Sequence, residues 1–177
     1  MADVTGIVLA AGAGTRAGGP KALLRMPSGQ SWIAASVTAL GACDRVVVVL
    51  GAQARIALPL VPASASVVIA GDWELGMSAS LRAGLAAATG DAALITLVDL
   101  PGLPVSVVSR VLTSDGSLRQ AVFDGRPGHP VYIAASHWGA VAESLEGDRG
   151  ARAYLVEHGV TEVECGDLWD GVDRDGG

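Results

Sequence analysis

The 177-residue sequence predicts an α/β fold built as three layers around a doubly wound, mostly parallel sheet. Apolar runs rich in β-branched residues recur along the chain without strict alternation, which is typical of strands buried on both faces. Segments with helical spacing lie between these runs, so strands and helices alternate and right-handed crossovers are expected. Two later strands flank a turn signal, which predicts an antiparallel hairpin added to the sheet.

The strands are read from continuous apolar segments and the turn residues that bound them. Four of them alternate with helices: VTGIVLA (4–10), RVVVVL (45–50), ASVVIA (65–70) and AALITLV (92–98). The hairpin is formed by RQAVFD (119–124) and HPVYIA (129–134), which flank GRPG (125–128), and TEVEC (161–165) is the last strand.

The helices are read from apolar residues that recur every three or four positions. They are predicted at 31–40, 78–88, 104–112, 138–145 and 151–159. Ser78 is a suitable N-cap for the second, and Pro104 suits the first turn of the third.

Composition limits the possible functions. Half of the residues are apolar, and the length suits one domain over 1–177 with an irregular acidic end from about 166. The net charge of −6 argues against a nucleic acid partner but leaves room for a small anionic ligand. Cys43 and Cys165 form no CxxC pair, MADVTG resembles no signal peptide, and no apolar run is long enough for a membrane span. We therefore expect a cytoplasmic protein without a membrane partner, as a monomer or small homo-oligomer.

The segment LAAGAGTRAGGPK (9–21) follows the first strand, and two common nucleotide-binding motifs fit it poorly. GAGTRA matches a dinucleotide-binding G-x-G-x-x-A, but the following GGP (18–20) would break the helix required there. The second strand also ends in LGAQ, without the acid that binds ribose. The P-loop fails because Pro20 separates glycine from Lys21 and Ala22 replaces the metal-binding hydroxyl.

An extended loop that wraps a nucleoside triphosphate fits the same residues better. Gly12 and Gly14 let backbone N–H groups approach phosphate oxygens closely. Arg16 offers a planar guanidinium that can bind phosphate through two hydrogen bonds, and Lys21 offers a point charge. Pro20 fixes the backbone just before Lys21. No helix has to follow the glycines directly.

These thirteen residues resemble the signature L-A-A-G-x-G-x-R-x-G-x-x-K of nucleotidyltransferases, and most closely that of the molybdenum-cofactor nucleotidyltransferase-like family, whose members attach CMP or GMP to molybdopterin. The resemblance implies a Rossmann-like nucleotidyltransferase fold and a Mg²⁺-dependent enzyme that uses CTP or GTP. It implies catalytic roles for Arg16 and Lys21. It also implies nucleotide contacts from Leu9, Ala10, Ala11, Gly12 and Gly14.

Two aspartates are the expected metal ligands. Asp99 ends a buried strand, where ligands of open α/β sheets bind, and a carboxylate near a triphosphate is a natural Mg²⁺ ligand. The family carries a metal-binding Asp at this position; the alternative is a turn aspartate before Pro101. The family's D-[IV]-D-T-P-E-[DE] motif aligns with GVDRD near the end and places Asp173 as second ligand. The T-P-E continuation is absent, so Asp173 is either a ligand or part of an acidic tail.

Three further segments resemble the family. GDWELGMSASLRAG (71–84) is similar to the family's base-contacting loop, which implies contacts from Gly76 and Ser78. A plain helix N-cap is an equal alternative for Ser78. Ser80 is expected to be structural. DGRPGHPVYI (124–133) implies that His129 faces the acceptor. GDRGAR (147–152) implies a substrate contact from Arg152 and an Asp148 that caps the helix it opens.

The expected reaction is transfer of a nucleoside monophosphate from a triphosphate to a phosphorylated, molybdopterin-like acceptor, with release of pyrophosphate. A sugar-phosphate or alcohol-phosphate acceptor is one alternative. A nucleotide-binding accessory protein without catalytic activity is another, because the C-terminal acidic motif departs from the family's. Binding of NAD(P) is disfavoured by the helix-breaking residues after the glycines.

Overall fold

The computed structural model describes residues 2–172, in which seven strands form one mixed sheet. The strands are β1 (Val4–Ala10), β2 (Arg45–Leu50), β3 (Ala65–Ile69), β4 (Ala92–Leu97), β5 (Leu118–Phe123), β6 (Arg126–Ala134) and β7 (Thr161–Glu164). Their order across the sheet is β3-β2-β1-β4-β6-β5-β7. Within the described residues only β6 runs against its neighbours, so the predicted α/β fold with a mostly parallel sheet is confirmed.

Six α-helices cover both faces of the sheet in the described part of the chain. They are α1 (Trp32–Ala39), α2 (Ala54–Ala57), α3 (Met77–Ala87), α4 (Val105–Thr113), α5 (Trp138–Ser144) and α6 (Arg152–Glu157). Helices α1 and α4 contribute to the hydrophobic core on one face, and α3, α5 and α6 to the core on the other. None of the helices in residues 2–172 is long and apolar enough to cross a membrane.

The uninterrupted apolar character of the first strands follows from this layered arrangement. All seven residues of β1 are buried, because it lies between β2 and β4 with a core on each face. Val8 pairs with Val48 on one side and with Thr96 on the other. Alternation is lost when both faces of a strand are covered, so continuous apolar runs were the correct signal.

The hairpin exists, but its turn differs from expectation. The turn residues are Asp124 and Gly125, both with positive φ (51° and 73°), while 126–128 already belong to β6. An Asp-Gly turn of this hand matches the twist of the two strands better than a turn centred on Pro127. Pro127 is tolerated in the strand because the ladder is irregular between Gln120 and Val122. The hairpin lies between β4 and β7, inside the sheet and not at its edge.

Candidate functional site

Gly12 and Gly14, in the loop after β1, differ in whether the fold requires glycine. Gly14 is left-handed (φ 59°), and a Cβ there would clash with the carbonyl oxygen of Gly19. The N–H of Gly19 donates to the Gly14 carbonyl at 3.1 Å. Gly12 has no positive φ, and a Cβ on it would meet no protein atom within 4 Å. Glycine at 14 is therefore explained by folding of the loop, whereas the fold does not require glycine at 12.

Lys21 is brought to Asp99 by the two adjacent parallel strands that precede them. Pro20 is buried and Lys21 begins a short 3-10 turn, while Asp99 follows β4. The Nζ atom of Lys21 donates to Oδ2 of Asp99 at 3.1 Å, and both side chains are about one-fifth exposed (21% and 19%). Arg16 lies exposed on a separate 3-10 turn, Thr15–Ala17. Two of the expected site residues, far apart in sequence, are thus in direct contact.

Asp99 has the properties of a ligand for a hard cation. Its Oδ1 atom is buried and has no hydrogen-bond partner, which is costly for a carboxylate oxygen unless something binds it. Carboxylate oxygens are what Mg²⁺ prefers in proteins. Residues 2–172 contain no group of three or more His, Cys, Asp or Glu side chains able to hold a metal by themselves. Asp173, the other expected ligand, lies outside the described residues.

A cavity of about 330 Å³, here called the loop cavity, opens beside the glycine loop. Leu9, Ala11 and Gly12 line it from β1 and the loop, and Trp73, Glu74 and Gly76 line it from the segment before α3. Ala10 instead packs in the core on the α1 side. No arginine or lysine of the described chain lines this cavity, whereas the carboxylates of Glu74 and Asp148 do.

The N-terminus of α3 is capped by a distant loop. The helix begins at Met77 with Gly76 as its N-cap, one residue earlier than expected, and Ser78 is buried within the first turn. The Met77 N–H donates to Oδ1 of Asp148 at 3.2 Å, and the Ser78 N–H donates to the carbonyl of Gly147 at 3.1 Å. A Cβ on Gly76 would lie 2.8 Å from that carbonyl oxygen, so glycine is needed for this approach.

This contact corrects two expectations. Asp148 caps α3 and not α6, whose N-cap is Ala151 without a side-chain hydrogen bond. The anion favoured by the positive end of α3 is therefore a carboxylate of the protein itself. Ser78 does not supply the side-chain cap expected for a helix starting at that residue.

A second cavity of about 310 Å³, here called the hairpin cavity, adjoins the first, and Leu9, Met77 and Asp148 line both. Its floor consists of aliphatic side chains on three neighbouring strands, namely Leu9, Ile95, Leu97, Val131 and Ile133. Leu81 of α3 and Leu155 of α6 also line it. Gln120, His129 and Arg152 are its other polar side chains besides Asp148.

His129 and Arg152, the two residues expected to face the acceptor, both line the hairpin cavity. Burial lowers the pKa of His129 to about 4, although the negative charge of Asp99 acts in the opposite direction. His129 is therefore neutral near pH 7, and it offers hydrogen bonding without positive charge. Arg152 is exposed at the first turn of α6.

Some residues around the cavities were not identified from the sequence. Glu74 and Ser80 line the loop cavity, although Ser80 was expected to be structural. A signal for Glu74 existed, because it lies in the segment that resembles the base-contacting loop. The aliphatic floor of the hairpin cavity had no such signal, since residues such as Val131 and Ile133 read as ordinary strand residues.

Comparisons with known proteins agree with this fold. The family model described as "MobA-like NTP transferase domain" matches residues 6–163. A protein named "Nicotine blue oxidoreductase" from Paenarthrobacter nicotinovorans is 41% identical over 192 residues, covering 97% of this chain and 92% of its own.

Two solved structures extend the comparison. The Mycobacterium tuberculosis Rv0371c homolog from Mycobacterium sp. strain JC1 has a TM-score of 0.81 at 26% identity, covering 98% of this chain and 90% of that one. Rv0371c of M. tuberculosis H37Rv in complex with manganese has a TM-score of 0.74 at 25% identity, covering 92% and 88%. The seven-stranded sheet and the family match together lead to one conclusion: the chain belongs to the MobA-like NTP transferase family.

Proposed function

We propose that this protein transfers a nucleoside monophosphate from a nucleoside triphosphate to a phosphorylated small molecule and releases pyrophosphate. The observation that carries the proposal is the Lys21–Asp99 pair, which stands where the glycine loop of β1 meets the end of β4. A cation and a cation-binding carboxylate next to a glycine loop are the groups that phosphoryl chemistry needs, because it depends mainly on positioning and charge neutralisation. Family membership supports the same activity.

The nucleoside and the phosphates of the triphosphate are placed at different parts of the glycine loop. The loop cavity contains carboxylates and no cation from the described chain, so it suits the base and ribose better than phosphates. The phosphates then follow the loop past Gly12 toward Arg16 and Lys21, where N–H groups and two cations are available. Leu9, Ala10 and Ala11 form the backbone beside the nucleoside, Gly14 folds the loop, and Gly76 and Ser78 support the segment that faces the base. We propose CTP or GTP as the triphosphate.

Lys21 and Arg16 stabilise the negative charge that develops when an acceptor phosphate attacks the α-phosphorus and pyrophosphate leaves. The acceptor phosphate is already ionised, so no strong general base is required. We propose that Asp99, through its unpartnered Oδ1, and Asp173 hold Mg²⁺, which would neutralise phosphate oxygens when bound. The manganese complex of Rv0371c supports a divalent cation in this family.

The hairpin cavity is the place we propose for the acceptor, since it adjoins the loop cavity and presents Arg152 and His129. A molybdopterin-like acceptor, and with it a role in molybdenum cofactor biosynthesis, is proposed on the GHP and GDRGAR segments. Sugar phosphates and alcohol phosphates are the alternative acceptors. A cytoplasmic location stays a prediction from the sequence.

Pyrophosphate release tests the proposal. The purified protein is incubated with each of CTP, GTP, ATP and UTP, with Mg²⁺ or Mn²⁺, and with candidate acceptors. We expect pyrophosphate that depends on acceptor and metal together, with CTP or GTP preferred. The absence of release with every combination, despite measurable triphosphate binding, would favour a non-catalytic accessory role.

A second candidate function is an oxidoreductase activity. The relative named "Nicotine blue oxidoreductase" shares 41% identity across 97% of this chain, and the T-P-E continuation of the metal motif is absent here. The helix-breaking residues after the glycines disfavour NAD(P), so tight binding of NADH to the purified protein, without pyrophosphate release from any triphosphate, would favour this candidate.

A further inference from the structure

The two edges of the sheet differ in how they are protected from pairing with another strand. In the described chain β3 lies at one edge and β7 at the other. β7 is four residues long and carries two exposed glutamates, Glu162 and Glu164. Short edge strands with charged side chains discourage pairing between chains. β3 (Ala65–Ile69) carries neither a charged residue nor a proline, so its edge is open to a further strand.

Two residues of β3 direct their backbone hydrogen-bonding groups away from the sheet. The Ala70 N–H donates to the last residue of β2 at 2.8 Å. Because successive residues of a strand turn their N–H and C=O groups to opposite sides, Val67 and Ile69 face outward. The outward N–H of Ala65 is already used, since it donates to the Pro62 carbonyl at 3.0 Å. Val67 and Ile69 thus offer two donors and two acceptors to a further strand.

Exposed aliphatic side chains flank this edge. The isoleucines and leucines that are more than half exposed within residues 2–172 are Ile56, Leu58, Ile69 and Leu75, here called the edge patch. Ile69 ends β3 and Leu75 lies on the segment after it, while the other two lie on the segment that follows β2. Since β2 and β3 are adjacent and parallel, both segments leave the sheet at the same end. Covering the edge patch would remove apolar surface from water.

The surface that best complements this edge is the same edge of a second copy. In an antiparallel pair with a two-fold axis at Val68, Val67 of one copy lies opposite Ile69 of the other, and four hydrogen bonds use all the outward groups. Asp72 is the one charged residue in the sequence from 64 to 72, and this register places it opposite Ser64 of the other copy. Like charges therefore do not meet across the strands, although each chain has a net charge of −6.

The glutamates of β7 disfavour a head-to-tail arrangement. Pairing of β3 in one copy with β7 in the next would generate an open filament instead of a closed dimer. It would also bring the uncharged edge of β3 against Glu162 and Glu164, and would remove water from carboxylates without giving them a partner.

We infer that the β3 edge and the edge patch form an interface with a second copy of this chain, in which the two β3 strands pair antiparallel about Val68 and the sheet continues across both molecules. A five-residue strand alone covers less than the roughly 800 Å² that each partner of a stable interface buries, so the edge patch is part of the contact. Trp73 and Glu74, which line the loop cavity, lie on the segment beside this interface.

The mass of the full-length protein in solution tests the interface. Sedimentation velocity from about 1 to 100 µM should show a concentration-dependent dimer. Ile69→Lys places a charge in the edge patch and should weaken the dimer at least about tenfold. Val156→Lys is the matched control, because Val156 is also an exposed aliphatic residue (68% against 53% for Ile69) but lies on α6, outside the edge patch. It should leave the dimer unchanged.

Val67→Pro tests the backbone pairing. It removes an outward N–H while leaving the hydrogen bonds to β2 in place, as proline at a strand edge does. We expect it to weaken the dimer at least about tenfold. If this variant fails to fold by circular dichroism, Ile69→Lys and the cysteine variants below still decide.

Cysteine cross-linking tests the register. Residue 68 lies opposite itself in a non-hydrogen-bonded pair, where Cα atoms are about 4.5 Å apart and within reach of a disulfide. Val68→Cys should therefore oxidise to a covalent dimer on a non-reducing gel. Ser66→Cys is the matched control, since residue 66 is on the same face and more exposed, but its two copies are offset by about 13 Å along the strands. The wild type corrects for Cys43 and Cys165.

Four results would overturn the inference. They are a monomer at every concentration, equal effects of Ile69→Lys and Val156→Lys on the dimer, cross-linking of Ser66→Cys as efficient as that of Val68→Cys, and a ladder of larger particles, which would indicate open pairing. Pyrophosphate release is a separate readout, so failure of the interface and failure of the proposed function are distinguishable.

Discussion

The Lys21 Nζ atom lies 3.1 Å from Oδ2 of Asp99, although 78 positions separate the two residues in sequence. The contact exists because β1 and β4 are adjacent and parallel, so the segments that follow them meet at one edge of the sheet. One oxygen of Asp99 is held by this lysine and the other is buried without a hydrogen-bond partner. The pair therefore links the phosphate-binding loop to the proposed cation ligand.

Loss of the Lys21 charge should reduce catalysis far more than stability. We expect Lys21→Ala to lower turnover by about a hundredfold or more, the range found when one preorganised charge donor is removed. Steady-state pyrophosphate release measures the effect. Arg55→Ala, which removes an exposed cation on α2, is the control and should keep normal turnover. Near-normal turnover of Lys21→Ala would remove the lysine from the reaction.

Gly12→Ala and Gly14→Ala should separate ligand approach from loop folding. Gly12→Ala should leave the unfolding free energy within about 0.5 kcal/mol of the wild type, because the added methyl group meets no protein atom. It should nevertheless weaken triphosphate binding, measured by calorimetry. Gly14→Ala should cost about 1 kcal/mol or more, from its left-handed backbone and its clash with Gly19. Equal effects of the two substitutions on stability would contradict this division.

Asp99→Asn should weaken the metal dependence. The amide keeps the size of the side chain but removes the charge that a divalent cation and Lys21 both require. A titration of activity with Mg²⁺ and with Mn²⁺ should shift to higher concentration, with the circular dichroism spectrum unchanged. An unshifted titration would exclude Asp99 as a metal ligand.

Asp148 should stabilise the protein through α3. Asp148→Ala removes the acceptor of the Met77 N–H and should cost about 1 kcal/mol of unfolding free energy, as for other helix N-caps. Asp115→Ala, at another exposed aspartate, is the control in the same urea titration and should be nearly neutral. A neutral Asp148→Ala would mean that the contact contributes nothing to stability.

His129 should make stability depend on pH on the acid side of neutrality. Its pKa falls from 6.5 to about 4 in the folded protein, so between these values the unfolded chain binds the proton more readily. Stability from this group is present above about pH 6.5 and is lost as pH falls toward 4. In the wild type this group should lower the unfolding free energy by on the order of 2 kcal/mol between pH 6.5 and pH 4, and His129→Gln should abolish that decrease. Urea unfolding across the interval measures it. Above pH 7.5 His129 contributes no pH dependence to the unfolding free energy, so the two proteins should then respond equally to pH, which provides an internal control. The same pH dependence in both proteins below pH 6.5 would show that His129 is not its source.

Much of the fold was readable from the sequence because the strands buried on both faces lack polar alternation. The β1 and β2 boundaries agree with expectation, and the Lys21–Asp99 contact joins two residues expected at the site. Local sequence patterns could not predict that the hairpin lies between β4 and β7, because the residues of an individual strand do not show which distant strand it pairs with. The same holds for Asp148, which caps a helix 71 positions away. The four-residue helix α2 is too short to show a periodic pattern.

The proposed function requires the loop after β1 to hold a triphosphate. The decisive measurement is a crystal structure of the protein soaked with CTP or GTP and Mg²⁺. We expect phosphate oxygens against the backbone N–H groups around Gly12 and within hydrogen-bond distance of Lys21, with the nucleoside in the loop cavity. A triphosphate bound elsewhere, with the loop cavity empty, would refute this placement.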